Sequence, residues 1–133
     1  MATTINTGTL AITQTVQAGD YLYNTTSGQI VGSIGAGYGA NGDAGVYLAA
    51  AGSLVNAGAV TGGAGGNGGF VGTTGGSGVE LGADASFTNA GTIAGGAGGP
   101  GYFPSIGGTG AQLASGASQA RPATVSAAPA GSG

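Results

Sequence analysis

The chain has 133 residues, with 34 glycines, 4 prolines, no cysteine and a formal net charge of −3. The missing cysteine excludes disulfides and thiolate metal sites, and a single Lys or Arg excludes the basic footprint that nucleic acid or an anionic membrane surface requires. Glycine and proline at about 29% of positions is a low-complexity composition, yet only Asp20, Asp43, Glu80, Asp84 and Arg121 are charged, so the chain must pack its surface or self-associate.

The opening residues, MATTINTGTLAIT, lack both the charged start and the apolar core of a secretory signal. No stretch approaches the roughly 18 apolar residues of a membrane span, so no membrane insertion is expected. Export through a signal outside these residues, or a chain beginning as an excised fragment, is the corresponding expectation.

From residue 14 a repeat governs the sequence. The stretch SLVNAGAVTGGAGG at 53–66 returns as SFTNAGTIAGGAGG at 86–99, and YLYN at 21–24 precedes SLVN at the same kind of interval. Repeats of 20–50 residues mark solenoids. The interval of 32 or 33 places Leu22, Leu54 and Phe87 in one column, and Val16, Leu48, Leu81 and Leu113 in another. Val46 meets Val79, and Val60 meets Ile93. Within a copy, GVYL and GVELG alternate apolar and other residues with the period of a strand, and no helical stripe appears. The expected fold is all-β: a right-handed parallel β-helix with coils of about 33 residues, the handedness following the crossover rule. Two glycine-rich excursions, 62–76 and 95–108, leave the coil as loops. A bundle of polyproline II helices is the rival architecture for so much glycine, but it leaves the recurring Val, Leu and Ile positions unexplained.

Asn24, Asn56 and Asn89 fall where each coil turns. Asparagine tolerates left-handed backbone and its amide can bond to the amide one coil away, so a structural ladder is expected. Asn24-Thr25-Thr26 also matches a glycosylation sequon, which the ladder makes unnecessary.

The run GVYLAAAGSLVNAGAVTGGAGG resembles the Gly/Ala/Asn-rich repeats of bacterial autotransporter and haemagglutinin-like exoproteins over roughly residues 14–113. That resemblance implies a parallel β-helix displayed outside the cell or at a bacterial cell surface. The GGAGGNGG runs also resemble mycobacterial PGRS repeats, which are glycine-rich almost throughout and match less well.

Catalysis has few candidates. Glu80 and Asp84 are the best carboxylate pair for glycoside hydrolysis, but Glu80 sits between two inward residues and should face solvent. Serine and threonine have no histidine or lysine to activate them. Asp43, in GANGDAGVYL, lies off the spacing of calcium-binding nonapeptides and suits a turn. No catalytic residue, metal ligand or cofactor is expected. Tyr38, Phe70 and Phe103 recur at 32 and 33 residues inside the excursions, with Tyr102 beside the last. Such rings either pin their loops to the solenoid wall or form a stripe for a surface glycan.

Residues 1–113 read as the solenoid and 114–133, rich in Ala, Ser, Pro and Gly, as a tail or linker. Uncapped coil ends predict a partner in the form of a second copy stacked end to end, or further coils of a parent protein. The functional expectation is a non-enzymatic structural module, an exoprotein stalk or a filament subunit, with a carbohydrate-binding module or remnant polysaccharide-active enzyme as the alternative.

Overall fold

A computed structural model describes residues 1–103, 105–113, 118–120 and 124–126, and among them no helix occurs. The opening coil holds β1 (Thr3–Asn6), β2 (Thr9–Leu10) and β3 (Gln14–Val16). The next comprises β4 (Tyr21–Asn24), β5 (Gln29–Val31) and β6 (Val46–Leu48). A third carries β7 (Ser53–Asn56), β8 (Ala59–Thr61), β9 (Gly69–Val71) and β10 (Val79–Leu81). A fourth carries β11 (Ser86–Asn89), β12 (Thr92–Ala94), β13 (Gly101–Phe103) and β14 (Ala111–Leu113). β15 (Ser118–Ala120) and β16 (Thr124–Ser126) follow.

Every pairing is parallel, and strands stack by coil into three faces, β1-β4-β7-β11-β15, β2-β5-β8-β12-β16 and β3-β6-β10-β14. The chain is therefore a β-solenoid. Its register is the one the repeat dictates: Leu22 beside Leu54 beside Phe87, and Val16 beside Leu48 beside Leu81 beside Leu113. The side chains of the first column, and of Val16, Leu48 and Leu81, are buried at 4% exposure or less. Alternation explains the burial, because successive strand side chains point to opposite faces and only every second one enters the core. The third face adds a column that the sequence reading left incomplete, Ile30 beneath Val60 and Ile93, all fully enclosed.

The strands continue beyond the boundary expected at residue 113. β15 pairs with β11 through Ser118, Gln119 and Ala120, and β16 pairs with β12 through Thr124, Val125 and Ser126. Val125, the last apolar residue of strand type in the chain, falls in register with Ile93.

The glycine-rich excursions differ from the loops expected. Three of them, residues 32–45, 62–78 and 95–103 with 105–110, stack as layers of a wing beside the core. Each layer has an outgoing and a returning leg, and hydrogen bonds join the layers at every third residue. Outgoing Gly62, Gly65 and Gly68 donate their amides to the carbonyls of Ala94, Ala97 and Pro100 at 2.9–3.0 Å. Returning Gly72, Gly75 and Gly78 donate to Phe103, Ile106 and Thr109. Antiparallel cross-links run between legs, as in Gly96 to Gly76 and Gly99 to Thr73, where the donor advances by three while the acceptor retreats by three. A three-residue step with all bonds made between segments is the habit of polyproline II-type helices. The wing shares that step and that bonding: apolar columns build the core, and glycine legs build the wing.

Close approach makes glycine obligatory in these legs. A Cβ on Gly63 would fall on the carbonyl oxygen of Ser33 in the preceding layer, and one on Gly96 on that of Gly63, in both cases far inside van der Waals contact.

Candidate functional site at the wing tip

The wing ends in a small two-stranded ribbon in which β9 pairs with β13, Gly101 beside Gly69 and Phe103 beside Val71. Gly69 takes a φ of +66°, turning the chain, while Asn67 Oδ1 accepts the Gly69 amide at 2.8 Å. The absent Gly69 side chain leaves room for Tyr38 from the layer below, whose ring lies against that position. Thr73 Oγ1 donates to the Gly66 carbonyl and ties the two legs together just behind the tip.

The register brings Phe70 beside Tyr102. Their rings stack with centroids 5.5 Å apart and planes 14° from parallel, while Phe103 stands edge-on to both. The repeat partner of Phe70 is therefore Tyr102, at an interval of 32, because the glycines between offer no apolar landmark to distinguish that alignment from one at 33. The rings do not pin loops to the solenoid wall. Tyr38, Phe70, Tyr102 and Phe103 are 81%, 69%, 73% and 49% exposed, and Phe70, Tyr102 and Phe103 make their ring contacts with one another. Backbone bonding holds the legs, so the side chains are left free to face solvent. Ile34, Val71 and Ile106 are exposed on the wing as well, which gives it an apolar, uncharged outer part.

The remaining candidates are dispersed. Glu80 lies on the outer side of its face, in register between Tyr47 and Gln112. Asp84 sits in an exposed turn with a φ of +57°. Asp43 is exposed, and its backbone does the visible work: its amide donates to Ser33 and its carbonyl accepts from Gly63. Among the described residues no three His, Cys, Asp or Glu side chains converge into a group that could hold a metal ion.

Asn24, Asn56 and Asn89 are fully enclosed, and a fourth rung that the sequence reading missed, Asn6, extends the row. Each Nδ2 donates to the Oδ1 one coil on, 2.8 Å for Asn6 to Asn24, 2.7 Å for Asn24 to Asn56 and 2.9 Å for Asn56 to Asn89. Asn6 escaped notice because the opening coil has no wing layer, which shortens the interval to 18. Burial of Asn24 also removes its sequon from the surface. No family model, curated protein or solved structure matches the chain.

Proposed function

We propose that the chain is a non-catalytic structural module, a stiff solenoid segment that serves as part of a stalk or spacer outside the cell. The observation that carries this reading is the doubled bonding along one axis. A buried amide ladder runs through the core while a glycine lattice runs beside it, so that the coils carrying wing layers are tied to one another at two separate places. An enzyme concentrates its polarity in a cleft, whereas here the buried asparagine side chains are spent on joining coils. The extracellular assignment draws on the resemblance of residues 14–113 to exoprotein repeats.

Single-molecule pulling between the two ends of the solenoid tests the mechanical role. The reading expects one cooperative rupture, with the Asn56→Ala variant giving way at lower force. Gradual extension without a rupture would count against it, and so would depolymerising activity on any polysaccharide in a broad panel.

A carbohydrate-binding module is the second reading, favoured by the exposure of Tyr38, Phe70 and Tyr102. Sugars bind on ring faces, and the Phe70–Tyr102 stack uses one face of each. Binding on a glycan array that disappears in Phe70→Ala and Tyr102→Ala would move this reading ahead.

A further inference from the structure

Of the six asparagines, Asn6, Asn24, Asn56 and Asn89 form the buried ladder and are followed by Thr or Ala. Asn41 and Asn67 are each followed by glycine, and both are exposed in the wing. Asn-Gly is the pair in which a chain most readily attacks itself, because glycine has no Cβ to keep its nitrogen from the preceding side-chain amide. The glycine nitrogen loses its proton and bonds to the asparagine Cγ, ammonia leaves, and a succinimide ring forms. Water opens the ring at either carbonyl to give aspartate or isoaspartate, so the net change is one water gained and one ammonia lost.

In the folded wing both nitrogens are committed elsewhere. Gly42 donates its amide to the Thr74 carbonyl at 2.9 Å, and Asn41 Oδ1 accepts the Thr74 amide, also at 2.9 Å. A single residue of the second layer thus holds both the attacking group and the group attacked. Gly68 donates to Pro100 of the third layer at 3.0 Å, while Asn67 Oδ1 accepts the Gly69 amide at 2.8 Å. The Asn67 carbonyl accepts the Gly39 amide from the first layer at 3.0 Å. Ring closure at either site requires a bond between layers to break first, so exposure of the side chain does not by itself permit the reaction.

We infer that Asn41 and Asn67 are deamidation sites that the wing keeps shut while its layers are bonded, and that react once the layers part. Isoaspartate routes the chain through the former side chain and adds an atom to the backbone. The three-residue step of the leg is then lost at Gly42 or Gly68, and the bonds to Thr74 or Pro100 cannot re-form in register. Aspartate keeps the step but adds a negative charge to a wing whose described residues carry one charge, that of Asp43. The two sites record wing opening in one direction only, whether or not the module works as a stalk.

The test adds a matched pair outside the lattice. Ala18→Asn makes residues 18–20 read Asn-Gly-Asp, as residues 41–43 already do, in an exposed turn closed by the Asp20 amide on the Gln17 carbonyl at 3.0 Å. The folded variant is incubated in mildly alkaline buffer well below its melting temperature, and peptide mass spectrometry follows the change at each position. Position 18 should react at least about tenfold faster than Asn41 and Asn67, with the difference lost in denaturant. Equal rates in the folded chain would overturn the inference, and so would a lag that persists in denaturant, which would assign it to local sequence. If the variant fails to fold, Asn41 and Asn67 of the parent chain, folded against denatured, must show the same difference. Chains carrying isoaspartate, isolated after reaction in denaturant and returned to native buffer, should unfold at a lower midpoint than N41D/N67D, which has the charge without the added atom. Equal midpoints would overturn the loss of register.

Discussion

Asn24 Nδ2 donates to Asn56 Oδ1 across 2.7 Å, although 32 residues separate them and neither has any surface in contact with solvent. The same Nδ2 reaches the carbonyls of Gly28 and Ala59, each at 3.2 Å, so a single amide closes its own turn and grips the next coil. A buried amide pays its desolvation cost only if each of its polar atoms is matched, and the ladder matches them.

Asn56→Ala therefore removes the shortest bond of two buried neighbours, leaving Asn24 Nδ2 with the carbonyls of Gly28 and Ala59 and Asn89 Oδ1 with the amide of Gly91, all at 3.2 Å. A loss of about 1–3 kcal/mol is expected from the two amide bonds removed. Thermal or denaturant unfolding measures it, and an unchanged midpoint would remove the ladder from the account.

Leu54→Ala opens a void between Leu22 and Phe87 in the middle of a fully buried column. The expected cost is about 2–4 kcal/mol, in the range of core truncations that neighbours fill only in part. Because the column is shared, the double variant with Leu22→Ala should cost less or more than the sum of the two singles, and a double-mutant cycle reads that coupling.

Much of this was legible in the residues. Stacked coils put identical positions above one another, so an interval of 32 or 33 with alternating Val, Leu and Ile is enough to assign the columns of Leu54 and Leu48 and the row of Asn56. The wing was not legible in the same way. Its bonding is made by backbone alone and its residues are chosen for lacking a side chain, so an apolar pattern has nothing to register. The signal present is the pairing of glycines every third residue, Gly62-Gly63, Gly65-Gly66 and Gly68-Gly69, which is the step of the hydrogen bonds themselves. Ring exposure at the tip follows from the same cause, since a leg held by its amides has no need of Phe70 as an anchor.

Gly63→Ala and Gly76→Ala should each destabilise by about 1–3 kcal/mol, the usual cost of forcing atoms into a filled interior. Gly8→Ala is the matched control, as a Cβ there meets nothing within 4 Å. Equal effects at all three positions would mean that the wing is not closely packed.

Phe70→Ala should cost little, about 0.5–1.5 kcal/mol for the lost ring pair, because the side chain is already largely in solvent. The clearer readout is a change in Tyr102 fluorescence or near-ultraviolet circular dichroism, since Tyr102 loses its stacked neighbour. Preservation of that signal would place the two rings apart in solution.

Residue-resolved amide hydrogen exchange tests the central claim most directly, that glycine legs form a bonded lattice as firm as the strands. The amides of Gly63, Gly76 and Gly96 donate at 2.7–2.8 Å to Asp43, Gly63 and Gly76. They should exchange as slowly as the amide of Leu54 at the centre of β7. Exchange of all three at the rate of an unprotected chain, with Leu54 still protected, would contradict the account by returning the wing to a set of loops on an otherwise intact solenoid.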